Sequence, residues 1–439
     1  MSMPPLEHYL SGLPNLAQRN QHGLRAEDFS LQRLQRALAA LGQPQQAYPS
    51  LHVAGTNGKG SVSVLCAAAL QAQGHRVGLF TSPHLSGALH GIRVNGMRAS
   101  EAELQASFEH IYPTLAPQEG WTHFEVVVAL MFAHFARVAV AVAVVEVGLG
   151  GRLDATNVLL PTVSVITPID YDHTSILGHS LAEIAAHKAG IIKPGVPVVS
   201  APQPAEAAAV IAAEAAAQHA PLTQVETQWQ AELVSADWQG QHLRLRGAED
   251  DEWQELHIAL LGQHQLTNAL TAYAALQKLD GRGLPVSPQA IRAGFAAARW
   301  PGRFERLPGE PLTILDGAHS PAAARALRAA LDAYAPGQPV VLVLGVSADK
   351  DLAGVLEPLA ERIQMVYATQ SAQLRAMPAG ELAERVLAFG LPATAQPQPA
   401  AALQAARAAC PRDGLVLVAG SVFLVDEVRG YIGLEPSTK

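Results

Sequence analysis

Apolar residues recur along this chain in two rhythms. Leu31, Leu34, Leu38 and Leu41 stand three or four residues apart, the spacing of one helix face, and Gly42 closes the run. Other stretches are apolar at nearly every position: 51–54, 76–80, 138–147, 162–169 and 196–200. A run without alternation is how a strand reads when helices cover both of its faces, as in a parallel sheet. Between these runs lie helical patterns over 62–73, 101–111, 124–135 and 205–217, and another through Lys188. Alternating strands and helices predict an α/β fold, a doubly wound parallel sheet.

From 222 to 261 the rhythm changes. Leu243 and Leu245, then Leu256, Ile258 and Leu260, alternate with polar residues, which predicts a small antiparallel ribbon inserted in the fold or at its edge. Helices over 265–279 and 288–298 follow. Arg299-Trp300-Pro301-Gly302-Arg303 breaks the pattern and reads as a hinge, giving a first domain over 1–298. Beyond it strands are expected at 312–315, 339–344, 365–368 and 415–419, with helices from 321 and 352 and over 399–409. This is a second, smaller, Rossmann-like α/β domain over 304–439, and the active site is expected in the cleft between the two.

Composition narrows the functional classes. The chain has 439 residues, 49% hydrophobic and 15% charged, enough to build large cores. A net charge of −8 with no run of Lys or Arg argues against a nucleic-acid partner. Cys66 and Cys410, far apart, offer neither a disulfide framework nor metal-ligand spacing. The run 138–147 is too short to span a bilayer, and Pro4, Pro5, Glu7 and His8 stand where a signal peptide needs an apolar run. The expectation is a cytoplasmic protein with no membrane partner.

The chemistry centres on Gly55-Thr56-Asn57-Gly58-Lys59-Gly60-Ser61, between a strand and a helix. Glycines let backbone N–H groups converge on phosphate oxygens, and the helix N-terminus favours an anion. Lys59 would meet the outer phosphates and Ser61 could reach a magnesium ion. The bland alternative is a turn that merely joins strand to helix. Gly60, between Lys59 and Ser61, departs from the common phosphate-loop pattern.

Other polar residues stand at strand ends, where open α/β sheets bind ligands. Glu146 ends a valine run and is a candidate magnesium ligand. Asp172 and His173 follow another strand, and Ser82 a third. Lys188, at a helix end, reads most often as a solvated residue, while Asp316, after a strand of the second domain, and Arg303, at the hinge, read equally well as a turn Asp and a solvated Arg on pattern alone.

Taken together these segments resemble the folylpolyglutamate synthase family of the Mur ligase superfamily. The resemblance rests on Gly55 to Ser61 with its extra Gly60, Ser82-Pro83-His84-Leu85, and Glu146 leading into Gly150-Gly151-Arg152-Leu153-Asp154-Ala155-Thr156-Asn157. Asp172-His173, Lys188-Ala189-Gly190 and Asp316-Gly317-Ala318-His319 complete it, covering nearly the whole chain in the family's order.

The resemblance implies an ATP-dependent ligase that joins L-glutamate to a carboxylate. It places Asn57, Gly58, Lys59, Gly60, Ser61, Asn268, Arg303 and Asp316 on ATP, and Ser82, Glu146 and His173 on two Mg2+ ions. Lys59, His173 and Lys188 would be the catalytic group, with Lys188 in a position often carbamylated in that family. Thr122, His123, Phe124, Glu125, Leu153, Asp154 and Ala155 resemble the pterin pocket of the bifunctional bacterial members, which act on dihydropteroate and on reduced folates. The family is mostly monomeric. There are two departures: Ser320 where the family has Asn, and 26–30, Ala-Glu-Asp-Phe-Ser, where it has Leu-Glu-Arg before the first helix. The competing readings are polyglutamylation alone, another Mur-type ligase, and a nucleotide-binding regulatory module.

Overall fold

The valine-rich runs become the centre of an eight-stranded sheet in the computed structural model, which describes residues 3–15, 31–82, 88–118, 120–248 and 252–434. Its strands are β1 (Ser50–Ala54), β2 (Val77–Phe80), β3 (Ile92–Val94), β4 (Met97–Arg98), β5 (Val142–Glu146), β6 (Val163–Ile166), β7 (Val198–Ser200) and β8 (Leu222–Gln224). They lie in the order β4-β3-β2-β5-β1-β6-β7-β8. β2 to β8 pair in parallel across the centre, while β3 and β4 add an antiparallel edge. Every residue of β1, β2, β5, β6 and β7 is buried, which is why these runs carry no polar alternation.

Helices Glu101–Leu115 and His123–Arg137 cover one region of this sheet. Phe80, Ala143 and Val145 from the strands meet Phe108, Phe132 and Phe135 in one core cluster. Each fully buried phenylalanine contributes roughly 1.5–3 kcal/mol relative to exposure. Both helices, and Leu181–Ala189, begin with a reciprocal cap: Ser100 with Glu103, Thr122 with Glu125, Ser180 with Glu183. Ile166 and Val198 pack against Ile184 and Ala185 of the Leu181–Ala189 helix and Ile211 of the Ala205–Ala217 helix.

Several expectations shift. The helix expected from residue 62 is Lys59–Ala72, so Lys59, Gly60 and Ser61 form its first turn. Its capping residue is Gly58, in the left-handed region. The N-terminal stretch contains a helix that the hydrophobic pattern did not predict, Leu6–Ser11, held by buried Leu6 and Leu10. Within 222–261, β8 joins the main sheet in parallel with β7 instead of forming part of the ribbon. The ribbon is β9 (Trp229–Asp237), β10 (Gly240–Gly247) and β11 (Gln254–Ile258), in the order β11-β10-β9.

The chain divides into two compact units. One comprises Met1–Ser235, His242–Ala259 and Leu266–Ala298; the other comprises Ala236–Gln241, Leu260–Gln265 and Arg299–Lys439. The second unit contains β12 (Glu305–Leu307), β13 (Leu312–Leu315), β14 (Val340–Leu344), β15 (Ile363–Ala368), β16 (Ala393–Ala395) and β17 (Leu415–Ala419). Their order is β12-β13-β17-β14-β15-β16, parallel except for β12. Its core joins Ile314, Leu342, Leu344, Val366 and Leu417. Among the described residues no helix is long and apolar enough to cross a membrane.

Candidate active site

The main sheet builds to one side of β1 with β2 and β5, then to the other with β6, β7 and β8. The carboxyl end of β1 is therefore a topological switch point, where open α/β sheets leave a crevice. The loop Gly55 to Gly58 occupies that end. Gly55 has φ +145°, and a Cβ there would stand 1.9 Å from the Thr167 hydroxyl oxygen, so no other residue fits without moving the backbone. Gly58, at φ +85°, faces Asn268, whose Oδ1 would lie 2.3 Å from an added Cβ. Buried Asn268 thus buttresses the loop from helix His264–Asp280.

The loop is tied to the segment after β6. The N–H groups of Thr56 and Asn57 donate to the Pro168 carbonyl at 3.0 and 3.1 Å. The Thr56 hydroxyl donates to the Asp170 carbonyl at 3.0 Å and lies 3.1 Å from the Asp170 N–H. Asp172 accepts the His173 N–H at 2.9 Å and lies 3.6 Å from its Nε2. His173 adopts φ +50° at the entry to helix Thr174–Leu177.

Two lysines converge here. Lys59 Nζ donates to the carbonyls of Gly55 and Thr56 at 3.1 and 3.2 Å. Lys188 Nζ donates to the same Gly55 carbonyl at 2.8 Å. Lys188 is buried, and desolvation together with the Lys59 charge lowers its pKa to about 7, with Asp172 opposing. A neutral carbonyl shared by two amines is a positively biased corner suited to an anion. At the end of β5 the buried Glu146 carboxylate accepts the Ser82 N–H at 3.2 Å. The donors near this end are mainly oxygens, the set that magnesium prefers. Among the described residues no three His, Cys, Asp or Glu side chains gather into a metal cluster. Magnesium usually takes only one or two protein ligands and lets substrate phosphates and waters supply the others, so the residues present fit it.

A second wall is built differently. Glu125 Oε2 accepts the Thr122 N–H at 2.9 Å and its hydroxyl at 2.8 Å, while Arg33 reaches both Glu125 oxygens at 2.9 and 2.7 Å. The Arg33 guanidinium also lies 5.2 Å from the Trp121 ring centre. His123 and Phe124 are half-buried, and burial lowers the His123 pKa. Phe124 packs 6.2 Å from the Phe80 ring and closely against Gly148. Leu153 is half-buried, and Asp154 and Ala155 are buried. Asp154 accepts the N–H groups of Leu149 and Thr156 at 2.8 and 3.0 Å, and also those of Gly148 and the Thr156 hydroxyl.

The Mur ligase middle domain matches residues 53–276, and the Mur ligase glutamate ligase domain matches 302–422. The dihydrofolate synthase/folylpolyglutamate synthase of Escherichia coli is 34% identical over 429 residues, covering 98% of this chain and 96% of that protein. The chain belongs to the folylpolyglutamate synthase branch of the Mur ligases. The equivalent protein of Mycobacterium tuberculosis is 37% identical over 376 residues, covering 81% of this chain and 77% of that one. The structure of E. coli FolC in complex with DHPP and ADP superposes with a TM-score of 0.86 at 32% identity, over 99% of both chains.

In this Mur ligase the second unit holds Asp316, whose oxygens accept the Phe304 and Ala318 N–H groups at 2.7 and 2.8 Å. Burial raises its pKa against the opposing Arg303 charge. Arg303 Nη1 donates to the Gly302 carbonyl at 3.1 Å. Ser320, one of the departures from the family, caps helix Pro321–Tyr334 through its side chain, a task for which Ser and Asn are near-equivalent.

The other departure lies at 26–30, outside the described residues. An arginine nevertheless follows directly, in Leu31-Gln32-Arg33 at the start of helix Leu31–Ala40, and it is this residue that clamps Glu125. Sequence reading missed Arg33 because its partner is 92 residues away. The Leu-x-Arg pattern itself was the available signal. Pro83, His84 and Leu85 lie outside the described residues.

Proposed function

We propose that this ligase joins L-glutamate to dihydropteroate, giving dihydrofolate, and extends reduced folates with further glutamates, using ATP. The observation that carries this reading is the pair of lysines on one phosphate-loop carbonyl, in a chain that matches the bifunctional ligases from end to end. A substrate carboxylate oxygen attacks the γ-phosphorus of ATP, the bond to the bridging oxygen breaks, and ADP leaves. The acyl phosphate so formed is attacked at carbon by the glutamate amine. The C–O bond to phosphate breaks, the amine proton passes to solvent or a base, and an amide remains.

The first step brings two anions together. Backbone N–H groups at the N-terminus of helix Lys59–Ala72 and the ammonium of Lys59 neutralise phosphate charge in line. Asn57, Gly58, Gly60 and Ser61 form the rest of that cradle, and Asn268, Arg303 and Asp316 serve as nucleotide contacts in this reading. Ser82 and Glu146 would hold one magnesium ion and His173 a second, with Lys188, in carbamylated form, aiding the latter. Bound there, magnesium offsets charge on the phosphates. Lys188, with its pKa lowered to about 7, has a substantial neutral-amine fraction near neutral pH, which carbamylation requires.

The pterin side is assigned to Thr122, His123, Phe124, Glu125, Leu153, Asp154 and Ala155. Phe124 offers a ring face, and Arg33 with Glu125 holds the helix start that presents it. Phosphate release measured with ATP, magnesium and L-glutamate tests the reading, first with dihydropteroate and then with a reduced folate. Release with both substrates is expected. Release with folate alone removes the dihydropteroate half, and release with neither overturns the proposal.

A further inference from the structure

The centre of β1 holds one residue that the sheet alone does not explain. His52 sits between Leu51 and Val53, opposite Val145 of β5 and Ser164 of β6, with no exposed surface. An apolar residue would serve the packing, and a buried imidazole costs free energy unless a directed hydrogen bond offsets it. His52 Nε2 lies 2.8 Å from the Thr156 hydroxyl, itself fully buried. That hydroxyl donates its single proton to Asp154 Oδ1. It must therefore accept from His52, which places a proton on Nε2. His52 Nδ1, buried and without a hydrogen-bond partner, is then the unprotonated nitrogen. Burial and the nearby Lys193 charge lower the His52 pKa to about 3, in keeping with a neutral ring.

Asp154 passes the constraint on. Oδ1 takes the Thr156 N–H and hydroxyl, and the carboxylate also takes the N–H groups of Gly148 and Leu149. With four donors for about four lone-pair directions, the carboxylate has one orientation. Its donors lie in the segment that follows Glu146 and packs on Phe124. His52 is three residues upstream of Gly55 on the strand that ends in the phosphate loop.

We propose that His52 is a positioning residue: through the Thr156 hydroxyl it orients Asp154, and through Asp154 it sets the Gly148–Leu149 backbone on the pterin side of the site. The link between that segment and pterin binding rests on the ligase reading above; the link from His52 to the segment does not. The strand that delivers the phosphate loop thereby also registers the opposite wall.

The test uses two matched pairs in the full chain. His52→Leu removes the bridging bond and Thr156→Val removes it together with the hydroxyl's bond to Asp154, both at similar volume, while His52→Gln and Thr156→Ser keep a donor or hydroxyl. Hydrogen exchange read by mass spectrometry should rise about tenfold at 148–156 in the first member of each pair, the effect of losing one buried bond. It should return toward wild type in the second, with β6 and β7 unchanged throughout. KM for dihydropteroate should rise about tenfold in the first members, with KM for ATP within about twofold, since only the pterin side loses a bond.

Unchanged exchange at 148–156, or a rise spread equally over β6 and β7, overturns the inference, whatever the activity. If His52→Leu does not fold, His52→Met replaces it; the Thr156 pair reads the hydroxyl's bonds to His52 and Asp154 together. A wild-type protein without pterin-dependent turnover that still shows the local exchange pattern sinks the ligase reading and leaves the positioning role standing.

Discussion

The corner around Gly55 and the wall around Glu125 and Asp154 lie in the same unit and solve opposite problems. At the corner, Lys59 and Lys188 share the Gly55 carbonyl, and burial with their crowding lowers the Lys188 pKa to about 7, so the lasting positive charge there is that of Lys59. Along the wall, negative charge is answered inside the chain: Glu125 by Arg33 and the Thr122 cap, Asp154 by N–H groups and a hydroxyl. A corner biased toward one sign is completed by its ligand. A wall whose charges are already answered offers a fixed shape. The pairing suits an enzyme that must capture a highly charged nucleotide and also select a flat heteroaromatic ring.

Gly55→Ala tests the corner most severely. The added methyl meets Thr167 at 1.9 Å from a backbone angle closed to alanine, so binding of a non-hydrolysable ATP analogue should be abolished, measured by calorimetry. Lys59→Ala leaves the backbone intact and removes one charge. We expect kcat to fall about 10^2- to 10^3-fold with an unchanged melting temperature, as for loss of one preorganised electrostatic group. A melting temperature that drops with kcat would mean that the corner is structural.

The wall should respond in stability. Arg33→Ala strips the cation from Glu125, whose side chain is only 10% exposed while Arg33 is 26% exposed. The loss should be about 2 kcal/mol in urea unfolding, below the range for a fully buried pair because Arg33 is part-solvated. If Arg33→Ala instead changes kcat with stability intact, the contrast between corner and wall fails.

The His52 variant gives the wall a pH signature. Its folded pKa, about 3, lies below the ordinary 6.5, so the unfolded chain binds a proton that the folded chain refuses. The associated stability is present above pH 6.5 and is lost as pH falls toward 3. His52→Gln should flatten the wild-type decline by up to about 1.4 kcal/mol per pH unit within that window. Thr122→Ala, which removes one cap, should cost about 1 kcal/mol in the same unfolding measurement.

Much of this arrangement could be read from residue order alone, and the reason is local. β1, β5 and β6 are buried on every side, so their identity is written in unbroken apolar runs. The phosphate loop is written in glycines whose conformations and contacts the structure makes explicit. What the order of residues hid is held by distance or by shortness. His52 meets Thr156 across 104 residues, and Arg33 meets Glu125 across 92. β3, β4, β8, β12 and β16 have only two or three residues each, too few to show a period. The Thr122 and Glu125 pattern was visible as sequence, but its cap and its arginine partner were not, since both depend on where the helix begins.

The buttress that Asn268 gives Gly58 also has a consequence for synthesis. A ribosome finishes the phosphate loop some two hundred residues before it makes the side chain that backs it. The segments 236–241 and 260–265, which belong with the second unit, emerge in that interval, ahead of everything from Arg299 onward. The nascent chain therefore carries an unsupported nucleotide loop while parts of the later unit wait for partners not yet translated. Truncated chains released between 61 and 268 should be poor nucleotide binders and ready clients for chaperones, even though they contain the whole glycine-rich motif.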